Sequence, residues 1–517
     1  MSDKIVKNLS FGKQAKEEVF IGIEKLAKAV SSTLGAGGSC VLLEDQFGNP
    51  MITKDGVTVA ESVVLRNPVE NLGCNLLKQA AKKTVKEAGD GTTTATVLAY
   101  AILQEAYKVQ EKTNSRELKE GINKAVNEVV EYLCKISKPI KNNMVNQIAT
   151  ISTNNDKKLG NLIGEAFKSV NNTGVVMMEQ SDSDKTELET IEGSQYFKGL
   201  LSPHFVTNKI KKTAELNNPL VLLIENSVEN IRQIQSVLEY VIKNNKPLLI
   251  IADLSPEVLS ALAMNKTKGN IKVNVISAPV LGVNRKQMFD DLALLTGATL
   301  INEDLGDDMD LIEIEHLGAC FKSITSDQDT ILQFESQNDE CFEIIKDIKK
   351  ELLTCKIPDK IISLEKRLAM LSSKIAVVKV GANSEIELKE KMDRVEDAIC
   401  ATKAAVKEGI VPGGGIALLN ASNHINAETI AGKVLAKAIK APYETILTNA
   451  GLKISYPKND CFGLDVVTGN MVNMTNQGII DPLLVTKSAL KNAASVATTI
   501  LSTNCVINNL RIDESNR

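Results

Sequence analysis

Three histidines are all that this chain of 517 residues offers for imidazole chemistry, and His204, His316 and His424 lie far apart with no nucleophile motif beside them. Ser/His and Cys/His catalysis therefore have little support. The nine cysteines (Cys40, Cys74, Cys134, Cys320, Cys341, Cys355, Cys400, Cys461 and Cys505) are odd in number and contain no Cys-x-x-Cys pair. They make neither a disulfide framework nor a zinc site, and a reducing compartment fits them best. An excess of one charge is also missing: the formal net charge is −4 and the pI about 5.8, with Lys and Arg scattered along the chain. Nothing here is an electrostatic footprint for a nucleic acid or an anionic membrane. The longest apolar runs, Leu220 to Ile224 and Leu248 to Ala252, are too short to span a bilayer. Met1–Lys7 lacks an apolar secretion segment, and no Arg precedes Arg66, unlike an Arg-rich presequence. A soluble protein of a bacterial-type cytoplasm is expected, with an organelle matrix as the other setting.

At 43% hydrophobic residues the chain can bury substantial cores, and its length suggests roughly two to four domains. Its most informative stretch is Gly89-Asp90-Gly91-Thr92-Thr93-Thr94-Ala95-Thr96, followed by an apolar-periodic run to Leu103. Two glycines, three hydroxyl residues and a helix start read as a phosphate cradle, with Asp90 as a hard oxygen ligand for Mg²⁺. Asp and Thr are also ordinary capping residues, so spacing alone leaves a plain helix start on an equal footing. Gly413-Gly414-Gly415 precedes a second helix-like segment; alone, it reads as a tight turn before it reads as a ligand contact. Ile52-Thr53-Lys54-Asp55-Gly56-Val57 ends a strand-like run in a charged turn, and Asp-Gly is a common hairpin signal.

Along the chain, the first 135 residues or so are mostly helical. Val19, Ile23, Leu26, Ala27, Val30 and Leu34 share a helical face that stops at Gly35, and a hairpin is expected around Gly48-Asn49-Pro50. Between about Val175 and Ile301 short apolar strands (Leu220–Ile224, Leu248–Ala252, Val273–Ser277, Thr299–Ile301) alternate with helical segments. That alternation is the signature of a parallel sheet with covering helices, and no Gly-x-Gly-x-x-Gly makes it a dinucleotide domain. Helix returns from about Glu340, is interrupted at Pro358, and dominates again beyond Glu385. Helical, then α/β, then helical suggests a middle inserted into a domain built from both ends.

The Gly89–Ala99 stretch, with Val395-Glu396-Asp397-Ala398, Ala404-Ala405-Val406-Lys407-Glu408-Gly409 and Gly413-Gly414-Gly415, closely resembles the group I chaperonins, the Hsp60 or GroEL-type proteins. Thr33-Leu34-Gly35, Ile52–Val57, Leu201-Ser202-Pro203, Lys246–Ala252 and Asp481-Pro482 belong to the same pattern, in order along nearly the whole chain.

This resemblance implies an α/β multidomain fold. A mainly helical equatorial domain would span 1–137 and 408–517, a small α/β intermediate domain 138–191 and 376–407, and an inserted α/β apical domain 192–375. It implies an ATPase coupled to protein folding, using ATP, Mg²⁺ and K⁺. The homo-oligomer would be a heptameric ring, as a double ring, with unfolded client proteins and a co-chaperonin of the Hsp10/GroES type as partners. Asp90 would bind Mg²⁺, and Gly91, Thr92, Thr93 and Thr94 would contact phosphate. Thr33, Leu34, Gly35 and Lys54 would line the nucleotide, with Gly414, Asp465, Val466 and Asp481 on its sugar and base side. Asp397 would orient and activate the attacking water, and Asp55 would assist. Clients would bind at Leu200, His204, Phe205, Gln235, Leu238, Leu259, Ala263 and Met264.

Departures from the family pattern mark a divergent member. The family usually carries aromatics where this chain has Leu200 and His204, and an apolar residue where it has Gln235; Ala36 replaces a proline. A hinge glycine is kept as Gly193, but Ser373-Lys374 stands where a glycine pair is expected, and the ending Arg511–Arg517 is not a Gly-Gly-Met repeat. Two other classes remain beside the chaperonin: an interaction or assembly protein with reduced folding activity, and a small-molecule kinase.

Overall fold

The computed structural model describes residues 7–44, 48–109, 113–140, 142–153, 156–170, 175–181, 183–196, 198–209, 211–278, 285–303, 306–307, 309, 312–334, 339–354, 364, 367–368, 370–371 and 374–509. Pro358, Ser373 and the final residues 510–517 fall outside these. The chain divides into two compact units, one from Met1–Gly164 with Val380–Arg517, the other from Glu165–Lys379.

The chain opens with β1 (Lys7–Phe11), α1 (Gly12–Ser31), the pair β2 (Val41–Glu44) and β3 (Pro50–Thr53), and α2 (Gly56–Ser62). Long helices follow: α3 (Pro68–Ala88), α4 (Thr92–Val109), α5 (Ser115–Ile136), α6 (Asn142–Ser152) and α7 (Lys157–Val170). The second unit contributes β4 (Val175–Gln180), β5 (Glu187–Tyr196), β6 (Ala214–Asn217), β7 (Leu220–Ile224), α8 (Gln235–Lys243), β8 (Leu248–Ile251), α9 (Pro256–Thr267), β9 (Val273–Ile276) and α10 (Arg285–Thr296). It closes with β10 (Leu300–Ile301), β11 (Gly318–Ala319), β12 (Lys322–Thr325), β13 (Thr330–Phe334), α11 (Asp339–Thr354) and β14 (Lys374–Val380). The return to the first unit runs through α12 (Glu385–Glu408), β15 (Ile410–Pro412), α13 (Ile416–Ala421), α14 (Ile430–Ala438), α15 (Ala441–Asn449), β16 (Phe462–Leu464), β17 (Met471–Asn473), β18 (Ile480–Pro482), α16 (Leu483–Ser502) and β19 (Cys505–Asn509).

The core of the first unit is a helical pack in which apolar faces of α1, α3, α4, α5, α14 and α16 meet, with Ile23, Leu77, Leu98, Ile122, Leu435 and Leu490 all fully buried. The two ends of the chain pair here, β1 antiparallel to β19. The expected hairpin forms, β2 antiparallel to β3 with Val41 opposite Thr53. The first helix ends earlier than its apolar face suggests. It stops at Ser31, and the amides of Thr33 and Leu34 bond back to Val30 and Ser31, so Leu34 sits in a turn after the helix.

In the second unit β7, β8, β9 and β10 form the parallel sheet that the strand–helix alternation predicts, in the order β10-β7-β8-β9, with β11 antiparallel beside β7. β7 and β8 are buried on both faces, hence their unbroken Val, Leu and Ile, while β9 carries one buried polar residue, Asn274, whose Nδ2 donates to Thr325 Oγ1 at 2.8 Å. One face packs under α8 and α9, the other meets residues of a six-stranded sheet ordered β4-β14-β5-β13-β12-β6. Gly193 lies inside β5 opposite Gln333, where a Cβ would collide with the Ile375 side chain and lie 2.6 Å from the Leu332 carbonyl. Among the described residues no helix is long and apolar enough to cross a membrane.

Candidate functional site

The turn between α3 and α4 is the centre of the site. Gly89 ends α3 in the left-handed conformation (φ 75°), its amide bonding to the Val85 carbonyl at 2.7 Å, and Gly91 follows at φ 94°. The first backbone bond of α4 runs from the Ala95 amide to the Gly91 carbonyl, 2.9 Å. The amides of Thr92, Thr93 and Thr94 thus precede it and have no intrahelical acceptor, at the positive end of the helix dipole. Thr92 is buried and Thr93 and Thr94 are half-buried.

The glycines have a second reason to be there. A Cβ on Gly89 would lie 2.6 Å from Cys400 Cβ in α12, and one on Gly91 would lie 2.7 Å from Val485 Cγ1 in α16. Both therefore seat the turn against neighbouring helices.

Asp55 is the N-cap of α2, not the corner of a hairpin. Its carboxylate accepts from the amides of Val57 (3.0 Å) and Thr58 (2.7 Å) and from Thr58 Oγ1 (2.7 Å). Gly56 abuts α4 so closely that a Cβ there would strike Thr93 Oγ1, so the Asp55 and Asp90 loops touch.

Burial pushes the Asp90 carboxyl up and the Asp55 charge adds to it, against the amide of Gly91, which donates to the Asp90 carboxylate. Asp397, on α12, stands well above the usual carboxylate range, first through burial and then through Asp90, Asp55, Glu396 and Asp393. Asp481 is pushed up to about 7 by burial and by Asp90, while the amides of Gly415 and Gly414 hold it down. Those amides point at Asp481 because both glycines are left-handed (φ 64° and 78°), and a Cβ on Gly415 would come within 2.7 Å of the Tyr443 amide nitrogen. Four carboxylates thus crowd one pocket, and among the described residues no basic side chain offsets Asp90, Asp397 or Asp481.

Sequence reasoning missed two members. Asp393 lies one turn before Asp397 and is pushed up to about 6 by burial and by Asp55. Cys400, packed on Gly89, is pushed up to about 12, chiefly by burial. An i, i+4 pair of aspartates on a helix beside the recognised Asp397 was the available signal for Asp393; Cys400 carried none.

Other predicted residues occupy adjoining segments. Asn449 Nδ2 clamps the turn after α1 by donating to the Ser31 carbonyl (2.8 Å) and the Leu34 carbonyl (2.9 Å), while Gly35 faces Ile446 and Thr33 Oγ1 bonds to Val30. Asp465 caps its own turn through Val467 N (2.9 Å) and Thr468 Oγ1 (2.7 Å), and Val466 packs with Ile416, Tyr443 and Met474. Lys54 is half-buried beside Asp55. Val466 adjoins the glycine turn through Met474, which packs with Val466 and would lie 3.0 Å from a Cβ on Gly414.

In the second unit Phe205 (0% exposed), Leu238 (9%) and Ala263 (6%) belong to the core beneath the parallel sheet. They do not form the outward apolar strip expected of them. Leu200 and Leu259 are half-buried, His204 and Gln235 are exposed, and Met264 (58% exposed) is the apolar member that faces solvent.

The fold defines the class. It is that of a chaperonin: the structure of chaperonin gp146 from bacteriophage EL (Pseudomonas aeruginosa), in the presence of ATP-BeFx, crystal form II, matches with a TM-score of 0.75 at 21% identity, over 99% of this chain and 100% of that one. Crystal form I matches at 0.66 and 21%, over 97% and 99%. The sequence profile of the TCP-1/cpn60 chaperonin family matches residues 26–511, and the chain belongs to that family. It is an ATP-dependent chaperonin.

Proposed function

We propose that the chain is an Hsp60-type, group I chaperonin subunit that hydrolyses ATP at the Asp90 pocket and couples hydrolysis to the folding of client proteins. One observation carries the reading: Asp55, Asp90, Asp397 and Asp481 gather around a helix start whose first amides have no intrahelical acceptor. Such amides suit phosphate oxygens. Uncompensated carboxylates suit a cation.

The residues fit a metal that arrives with the nucleotide. Among the described residues no three His, Cys, Asp or Glu side chains converge to hold an ion by themselves. That is the situation of Mg²⁺, which takes one or two carboxylates and completes its shell with phosphate and water. Asp90 would hold it, and the ion would supply neutralisation of phosphate charge. The amides and hydroxyls of Thr92, Thr93 and Thr94, with Gly91, hold the phosphates. Asp397 faces them from α12 and orients the attacking water; its raised affinity for a proton suits a group that takes one from that water. Asp55 is held rigid by three hydrogen bonds and fixes the charge around Asp397. Asp481, presented by Gly414, contacts the sugar side, with Asp465 and Val466 beyond, and Thr33, Leu34, Gly35 and Lys54 close the other wall.

We infer the heptameric ring, double in form, a need for K⁺, an Hsp10/GroES-type co-chaperonin, a cytoplasmic setting and the five-segment domain division given above from the family resemblance. Sedimentation of the purified protein tests the first; a particle of seven or fourteen subunits is expected, and a stable monomer contradicts it. The second reading, a chaperonin-like assembly protein with reduced folding activity, gains from one observation: Phe205, Leu238 and Ala263 are buried. Capture of a chemically unfolded client separates the two. Capture that falls when Met264 becomes serine supports the folding machine, and no capture supports the assembly protein.

A further inference from the structure

Helix α16 begins directly after Asp481 and Pro482. Its Val485, Ala489 and Asn492 recur at helical spacing and share one face. That face meets the α3–α4 turn. A Cβ on Gly91 would lie 2.7 Å from Val485 Cγ1, 3.3 Å from Thr84 Cγ2 and 3.8 Å from Ala489 Cβ, so Gly91 sits in a socket formed by α16 on one side and α3 on the other. Ala88, the last residue of α3, packs with Val485 as well.

The two sides of this socket are joined by Asn492, a buried residue. Its Nδ2 donates to Thr84 Oγ1 at 3.2 Å and to Glu87 Oε2 at 2.9 Å, both in the last turns of α3. Thr84 is fully buried and gives its own hydroxyl proton to the Ala80 carbonyl (2.8 Å), which leaves its oxygen to accept from Asn492. With the oxygen fixed on that side, its methyl group faces Gly91. The bond to Glu87 has a charged acceptor and is the stronger of the two. Glu87 is otherwise paired with exposed Lys83 across 3.8 Å, a contact of little weight. Apolar packing brings α3 and α16 together without direction, whereas these two hydrogen bonds fix where along each other the helices meet.

We propose that Asn492 is a positioning residue for the α3–α4 turn. By pinning α16 to the last turns of α3 it keeps the Gly91 socket closed, and so holds Asp90 and the Thr92–Thr94 amides in place relative to Asp481 at the head of α16. It acts through Thr84 and Glu87 and touches no ligand. The inference rests on the nucleotide reading above for what the turn binds, not for how the turn is held.

The test exchanges donor and acceptor. Asn492→Asp removes both N–H donors and sets a second carboxylate against Glu87; adding Glu87→Gln returns a donor from the other side of the same bridge and restores the parent net charge. Amide hydrogen exchange of the full-length protein, without metal or nucleotide, reads the Gly89 and Ala95 amides, whose bonds to the Val85 and Gly91 carbonyls define the turn. In Asn492→Asp these amides are expected to exchange about tenfold faster, the scale of one hydrogen bond to a charged group, while β1 and β19 keep the parent rate. Calorimetry is expected to find MgATP bound about tenfold more weakly on the same scale, with adenosine, which lacks phosphate, bound as by the parent. The double variant restores both. If Asn492→Asp does not fold, Asn492→Ala gives the same comparison without the added charge, and loss of the fold in both overturns the proposal. Parent-like exchange at the turn in the single variant also overturns it, as does an equal acceleration in β1 and β19, or a double variant no better than the single one. A parent protein that binds no MgATP refutes the nucleotide reading instead, and the exchange rates still decide the proposal.

Discussion

Asp481→Asn is expected to stabilise the protein in the absence of nucleotide and metal. The carboxyl is pushed from an ordinary 3.8 to about 7 by burial and by Asp90. A shift of that size corresponds to about 4 kcal/mol against the ionised form in the folded state. Asp481 keeps some access to solvent, which screens part of this, and about 2 kcal/mol is the figure to expect. Asparagine removes the charge and keeps an oxygen to accept from the Gly414 and Gly415 amides. The sign with pH follows from the direction of the shift. A folded-state value above the unfolded one means that the folded chain holds the extra proton between 3.8 and about 7. The penalty of the carboxylate therefore grows as pH rises through that window and is complete above it. Urea denaturation at pH 8 should show the variant more stable by about 2 kcal/mol, and at pH 5 by less than half of that. No gain at pH 8, or a gain at pH 5 as large as at pH 8, would refute the crowded-carboxylate account of the pocket.

Other perturbations test neighbouring claims. Gly91→Ala adds a Cβ 2.7 Å from Val485 Cγ1 at a left-handed residue, and should cost about 3 kcal/mol, read as a lower denaturation midpoint of the first unit. Asn449→Ala removes the clamp on the Ser31 and Leu34 carbonyls; calorimetry should show ATP binding weakened roughly fivefold with the fold intact. Gly193→Ala drives a methyl into Ile375 and the Leu332 carbonyl within β5, and limited proteolysis should find the second unit opened by about 2 kcal/mol or more.

Much of the architecture was legible because its signals are local. The strands β7 and β8 are short runs of Val, Leu and Ile between helical patterns, β9 is another broken only by Asn274, and the pair β2–β3 flanks Gly48-Asn49. The site was legible in its residues but less so in their reasons. Gly89 and Gly91 read as room for a ligand, yet each also faces a side chain more than 300 residues away in sequence, Cys400 and Val485, and no local rule reveals that. Asp55 read as a turn and is a cap, since an Asp-Gly pair serves either role. The end of α1 was misplaced because Leu34 keeps the apolar register after the backbone has turned. Phe205, Leu238 and Ala263 show the same limit from the other side: periodicity marks an apolar face but does not tell whether it faces the core or the solvent.

The central claim is that Asp397 turns a nucleotide pocket into an ATPase. It is tested most directly by ATP hydrolysis with Mg²⁺ and K⁺ by the parent protein and by Asp397→Ala, with ATP binding measured in parallel. Hydrolysis by the parent that falls roughly 10²-fold in the variant, with binding retained, is the predicted result. No hydrolysis by the assembled parent, or an Asp397→Ala variant as fast as the parent, contradicts it.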